Sequence, residues 1–320
     1  MGVHMWETHK SRATCRFRSL KKETYHLKSN LRILVCDPID EEGLQKLRKA
    51  GFIVNVKPTI APDELRRIVS GYNIFIVRSR TKVEKAILYA GTRLKAVGRA
   101  GAGLDNIDVD AAQERGIRIL NTPETLGEAA AELTVGLMLS LARNIPRADL
   151  TMKEEKWIKK ELIGWELRGR TLGIIGLGNV GERVARFAKA FGMKILLTKR
   201  TPPESALLKE LGAEFVLLED LLRRSDVVTI HIPYTLEIHH MIGEKEFLII
   251  KKGAYIINTS RGAIIDEKAL LNALQLGRLG GAALDVFEAE PPIDWTLMRL
   301  PNVVCTPHIG AQTEEAQETE

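Results

Sequence analysis

The sequence predicts an α/β protein built as two doubly wound parallel-sheet domains facing a cleft. Three observations predict it. Short runs of Val, Ile and Leu alternate with amphipathic stretches from residue 31 onward. The alternation stops at one long apolar helical pattern and then restarts. A glycine loop, Gly176-Leu177-Gly178-Asn179-Val180-Gly181, stands between a strand and a helix of the second series. Strands buried on both faces by crossover helices read as continuous apolar runs, not as alternation.

The first series gives strands at Leu31–Cys36, Phe52–Val56, Asn73–Val77, Leu94–Val97 and Ile117–Leu120. Its helices fall at Glu42–Ala50, ended by Gly51, then Pro62–Val69, Val83–Tyr89 and Val109–Arg115. A strong helix over Glu124–Asn144 bridges to the second series, with another near Arg147–Trp157. The second series gives strands at Thr171–Ile175, Lys194–Leu197, Val227–Ile232, Tyr255–Thr259, Gly281–Leu284 and Val303–Thr306. Helices lie at Arg183–Phe191, Glu204–Leu211 and Glu267–Leu276. Right-handed crossovers turn each series into a Rossmann/flavodoxin-like unit, with ligands bound beyond the carboxyl ends of the strands. The expected division is an extension at 1–29, a substrate domain at 30–125 plus 307–320, and a nucleotide-binding domain at 126–306.

Composition narrows the function. The chain has 320 residues, 45% apolar and 28% charged, with a net charge of +6. Residues 1–29 hold seven Lys/Arg against Glu7 and Glu23, leaving +1 for the remainder. A near-neutral body gives no reason to expect nucleic acid. No apolar run approaches the roughly 20 residues of a membrane span, and the extension lacks an apolar signal core. It reads as a disordered tail or as codons upstream of the true start, with a transit peptide the alternative that its Arg/Lys bias suggests. Cys15, Cys36 and Cys305 are scattered without metal or redox spacing, which fits a reducing cytoplasm.

The glycine loop has a physical rationale. Gly176 allows a tight turn, Gly178 lets backbone approach a pyrophosphate, and Gly181 lets helix and strand pack closely. The N–H groups of Asn179 and Val180 open the helix, whose N-terminus favours an anion. The next strand should end in an acid for the adenosine ribose, yet Thr198-Lys199-Arg200-Thr201 stands there. A positive group suits a 2′-phosphate, so the cofactor expected is NAD or NADP, with NADP favoured.

Reacting groups are expected at strand ends. Arg261 follows Asn258-Thr259-Ser260, Glu290 closes Asp285-Val286-Phe287-Glu288-Ala289-Glu290, and His308 follows Thr306-Pro307. An Arg, a carboxylate and a His form a complete set for oxidising an alcohol beside a carboxylate. The His takes the hydroxyl proton, the acid orients it, and the Arg holds the substrate carboxylate. A strand and glycine loop at Arg99-Ala100-Gly101-Ala102-Gly103-Leu104-Asp105-Asn106 join them from the first series. His231 ends a strand, and the adjacent His239 and His240 read as loop residues. No metal-ligand spacing is present.

On these motifs, with Val77-Arg78-Ser79-Arg80-Thr81, Ala283–Pro291 and Pro307–Gly310, residues 31–317 resemble the D-2-hydroxyacid dehydrogenases. The similarity is greatest to the branch that oxidises 3-phosphoglycerate for serine synthesis. Ser140–Pro146, Lys156-Trp157 and Gly164 belong to the same likeness. The resemblance implies Arg261, Glu290 and His308 as catalytic residues. It implies Asp285 at the nicotinamide carboxamide, and Ile232, Pro233, Thr259 and Ser260 along the cofactor cleft. It implies Ala102 and Gly103 at the substrate carboxylate, Arg78 and Ser79 near a phosphate, and a homodimer.

Two departures follow. Lys199 stands where the family usually has Asp, as in NADPH-dependent glyoxylate and hydroxypyruvate reductases, which are the alternative reading. The closing helix after His308 is at most begun, so a truncated C-terminal helix and no feedback by serine are expected. A nucleotide sensor without turnover is a third reading, against which the intact Arg261, Glu290 and His308 speak.

Overall fold

The computed structural model describes residues 30–101, 103–122 and 127–319. The first unit runs β1 (Arg32–Val35), α1 (Glu41–Lys49), β2 (Ile53–Val56), α2 (Pro62–Ile68), β3 (Ile74–Val77), α3 (Lys85–Ala90), β4 (Ala96–Arg99), α4 (Val109–Glu114) and β5 (Arg118–Asn121). Its sheet has the order β2-β1-β3-β4-β5, every pair parallel. Helix starts are set locally. Asp40 accepts from Glu42 N–H at 2.6 Å, and Asp108 accepts from Ala111 N–H at 2.9 Å. A side-chain oxygen at this position satisfies donors the helix cannot.

Two helices, α5 (Gly127–Arg143) and α6 (Ile145–Lys153), follow. The long linking helix was expected from Glu124; residues 123–126, and with them the expected boundary at 125/126, lie outside the described residues. The next helix starts two residues before the expected Arg147 and ends four before Trp157. Pro146 in its first turn loses only an N–H that has no helical partner there. Asn144, left-handed at φ 53°, separates the two helices.

The second unit runs β6 (Thr171–Ile175), α7 (Asn179–Ala190), β7 (Lys194–Thr198), α8 (Ser205–Leu211), β8 (Ala213–Phe215), α9 (Leu218–Arg224), β9 (Val227–Ile230), α10 (Glu244–Ile249), β10 (Ala254–Asn258), α11 (Glu267–Gln275), β11 (Leu279–Leu284) and β12 (Val303–Cys305). The sheet order is β12-β11-β10-β9-β6-β7-β8, again all parallel. The sequence did not reveal β8, α9 or α10, each too short to display its own period. The chain then returns as α12 (Glu314–Thr319), whose Gln317 accepts from Arg78 Nη1 at 3.4 Å on the first unit.

The core explains the apolar runs. All four residues of β9 are buried, as are Leu172, Ile174 and Ile175 of β6 and Ile256 and Ile257 of β10. Each such side chain contributes about 1.5–3 kcal/mol on burial. Strand order reverses between β6 and β9 in this sheet, and between β1 and β3 in the other. Residues after these strands therefore line a crevice with no helix crossing it.

Candidate active site

The glycine loop occupies the switch point of the larger sheet. Gly176 follows β6 at φ 98°, where its N–H donates to Thr198 O at 2.8 Å. A Cβ on Gly176 would overlap the His231 carbonyl, and one on Gly181 would overlap the Gly176 carbonyl. A Cβ on Gly178 would meet nothing within 4 Å. Two of the glycines are thus needed for packing, and the third faces open space at the head of α7. Asn179, Val180 and Gly181 form the first turn of that helix, with their N–H groups toward the same space. Neighbouring His231 is bonded to Thr229 Oγ1 at 2.9 Å and held neutral by burial. It adds no cation to the crevice.

The candidate reacting groups converge from three consecutive strand ends. Arg261 follows β10. Asn258 shapes its turn, accepting from the Ser260 N–H and hydroxyl at 3.0 Å and donating to Arg261 O at 2.8 Å. Gly262 permits the next contact, since a Cβ there would overlap the Phe287 carbonyl. That close approach brings the Arg261 turn against the Glu290 loop. His308 Nδ1 lies 2.7 Å from Glu290 Oε2, while Glu290 Oε1 accepts from Phe287 N–H at 3.2 Å. Burial alone would push the Glu290 carboxyl up. His308, the Phe287 N–H and the nearby Arg261 guanidinium outweigh it and hold the carboxyl below its usual range. An ionised Glu290 accepts a hydrogen bond from Nδ1–H, which leaves Nε2 as the basic nitrogen. Nε2 has no partner among the described residues.

Asp285 builds the turn that carries His308. It is fully buried after β11. Its oxygens accept from Thr306 Oγ1 at 2.6 Å, Ile309 N–H at 2.8 Å and Gly310 N–H at 2.9 Å. Burial pushes its carboxyl up while these donors pull it back. His308 itself has φ 54°, a left-handed conformation costing a non-glycine residue of order 1–3 kcal/mol. The Asp285 contacts, together with His308 N–H to Asp285 O at 2.8 Å, offset that strain and fix the imidazole.

Residues 135–310 match the family described as D-isomer specific 2-hydroxyacid dehydrogenase, NAD binding domain. The chain is 46% identical to the hydroxypyruvate reductase of Thermotoga maritima over 289 residues, covering 89% of this chain and 93% of that one. The chain belongs to the D-isomer-specific 2-hydroxyacid dehydrogenases. It is also 45% identical to the D-3-phosphoglycerate dehydrogenase of Methanocaldococcus jannaschii over 289 residues, 90% of this chain. There the match spans 55% of the relative, so the chain covers about half the length of that protein. Among solved structures, a glyoxylate reductase from Paecilomyes thermophila superposes with a TM-score of 0.83 at 31% identity, covering 91% and 92% of the two chains.

The remaining expected residues of this 2-hydroxyacid dehydrogenase take these places. Ile232 and Pro233 follow β9, with Ile232 Cγ2 packed beside Gly176. Thr259 follows β10 and shares a 2.8 Å hydrogen bond with Thr134 of α5; Ser260 is turned onto Asn258. Asp285, expected at the nicotinamide carboxamide, lies after β11 with its carboxylate turned to the 306–310 turn. Lys199 and Arg200 follow β7, one and two residues past the Thr198 carbonyl that receives Gly176 N–H. Neither has an ion-pair partner among the described residues. Gly103 lies against Arg261 Nη2, which a Cβ would overlap. Ala102 lies outside the described residues.

Arg78 and Ser79 follow β3 at the other switch point. Buried Asp37 holds their turn, accepting from Arg78 N–H at 2.6 Å and Thr81 Oγ1 at 2.7 Å. Asn106 donates to the carbonyls of Arg78 and Thr81, both at 2.7 Å. Sequence reasoning missed Asp37, Asn106, Asn258 and Thr134 as supports. Only Asn106 and Asn258 had a signal, since each lies inside a motif already singled out. Among the described residues no group of His, Cys, Asp and Glu could hold a metal. No helix of the described residues is long and apolar enough to cross a membrane.

Proposed function

We propose that the protein transfers a hydride between a D-2-hydroxy acid and a nicotinamide cofactor, with 3-phosphoglycerate as substrate. The observation that carries the reaction is the 2.7 Å His308–Glu290 pair, set beside Arg261 at strand ends that open onto the glycine loop. The space at Gly178 and the first turn of α7 suit a pyrophosphate. When bound, the nicotinamide supplies a hydride acceptor. His308 Nε2 takes the hydroxyl proton, Glu290 stabilises the resulting imidazolium, and Arg261 holds the carboxylate and the developing carbonyl oxygen.

The substrate rests on Arg78, whose backbone is fixed by Asp37 and Asn106, and on the relatives named for phosphoglycerate. A second reading, reduction of glyoxylate or hydroxypyruvate with NADPH, is favoured by Lys199, which has no ion-pair partner among the described residues, and by the match to a hydroxypyruvate reductase over 93% of that protein. The cofactor is proposed as NADP over NAD in either case. A charge-assisted contact to a 2′-phosphate is worth at least about tenfold in kcat/KM. The deciding panel pairs 3-phosphoglycerate, glycerate, hydroxypyruvate and glyoxylate with NAD(H) and NADP(H). Phosphoglycerate should exceed glycerate, and Arg78→Ala should erase that margin. A tenfold preference for NAD would overturn the cofactor assignment, and equal effects of Arg78→Ala on both acids would overturn the phosphate role.

We further propose a homodimer of cytoplasmic location. Helix α6 buries none of its own side chains and leaves Ile145 and Met152 exposed beside Leu139 and Ala148. Such a stripe fits a second copy. Sedimentation at micromolar concentration should give twice the chain mass, dropping to one with Met152→Glu; a monomeric wild type would refute it. Cys36 and Cys305 are both free thiols, compatible with a reducing compartment.

A further inference from the structure

Arg261 is gripped from the opposite side of the cleft. Its Nε donates to the carboxylate of Asp105, which belongs to the loop after β4 of the first unit. Its Nη1 donates to Ser260 O at 2.7 Å, and its Nη2 lies against Gly103. Two edges of the fork are therefore taken by protein. The edge left over faces the glycine loop to which the carboxylate of a 2-hydroxy acid is assigned. Asp105 is itself held firmly. Ile107 N–H donates to Leu104 O at 2.9 Å, and Val83 N–H donates to Asn106 O at 2.7 Å. The Asn106 amide ties the same loop to Arg78 and Thr81.

We propose that Asp105 is a positioning residue. It fixes rotation of the Arg261 guanidinium about its Cδ–Nε bond, so that the Nη edge points at the substrate carboxylate only when the two units close. The pair is not there for stability. Asp105 and Arg261 side chains are 34% and 29% exposed, and a water-screened pair of that kind adds little to folding. A fixed fork, by contrast, is what a planar two-point contact to a carboxylate requires. The opposite role is competition, in which Asp105 occupies Arg261 until substrate displaces it. The two roles predict opposite signs, because removing a competitor strengthens substrate binding and removing a guide weakens it.

The inference rests on the 2-hydroxyacid chemistry proposed above. The test uses Asp105→Ala and Asp105→Asn in the full chain, with reduction of hydroxypyruvate and glyoxylate. For Asp105→Ala, KM for the oxo acid should rise about tenfold and kcat should fall about tenfold, with cofactor Kd and Tm unchanged. Asp105→Asn keeps an oxygen to accept from Nε and should recover to within about threefold of wild type. A KM that is unchanged or lower in Asp105→Ala overturns the proposal, as does an Asn variant no better than Ala. Oxamate binding to the cofactor-loaded protein, followed by calorimetry, reads the same aim without turnover. Weaker oxamate binding in Asp105→Ala supports the proposal and equal binding overturns it. A wild type inert toward every oxo acid would defeat the proposed reaction and leave this binding measurement to decide the role of Asp105.

Discussion

His308→Gln is expected to lower kcat by about a thousandfold, since a positioned general base contributes roughly 10²–10⁴. Gln can fill the site and reach Glu290, but its amide has no basic nitrogen to take the hydroxyl proton. Cofactor binding should stay near wild type, because His308 follows β12 and the glycine loop follows β6. Steady-state rates in both directions, with a cofactor titration by fluorescence, check this. A loss of less than tenfold would remove His308 from proton transfer.

The pH dependence carries a definite sign. Glu290 has a carboxyl lowered from its ordinary value, so it is ionised wherever the fold persists near neutrality. Its stabilising contribution is present above the ordinary carboxyl range and fades as pH falls through the lowered value. Glu290 therefore stays ionised as the acceptor for His308 Nδ1–H through the neutral range. Glu290→Gln removes the counter-charge of the imidazolium. Its profile for reduction, which needs the imidazolium as acid, should move toward lower pH. An unmoved profile would count against the pair.

Arg261→Lys is expected to lower kcat/KM by about a hundredfold, the scale seen when one donor to a developing oxyanion is lost. Lysine keeps the charge but not the fork. In the wild type Nε serves Asp105, Nη1 serves Ser260 O, and Nη2 faces Gly103. A single ammonium cannot meet three directions at once. Most of the loss should appear in KM for the acid, with kcat falling too because the carbonyl oxygen is less well stabilised. Kinetics on either oxo acid reads the split. A variant within fivefold of wild type would mean that charge alone suffices at this position.

Some of this site was readable along the chain, and the reason is locality. The β6–Gly176–α7 turn is one contiguous segment, so strand, glycines and helix identify each other without tertiary information. The same holds for Asn258-Thr259-Ser260-Arg261, where a small-residue turn after a buried strand already suggests a presented guanidinium. Asp105 stood inside a motif with no role, because its partner lies 156 residues away. Asp285 was legible as an acid at a strand end. Its use, taking two backbone N–H groups and a hydroxyl from the 306–310 turn, was not.

The sequence alone determined the α/β class, the two series of buried strands and the glycine loop, and pointed to the candidate reacting side chains, because each is written in local period or in contiguous residues. Only the tertiary structure decided how they meet. Parallel register puts β10, β11 and β12 side by side, so turns far apart in the chain become neighbours at one sheet end. The close approach at Gly262 and the buried Asp285 then fix His308, Glu290 and Arg261 together. The first unit adds Asp105 and Gly103 from across the cleft. Contacts between segments so distant depend on strand order and domain closure, which no local pattern of residues encodes.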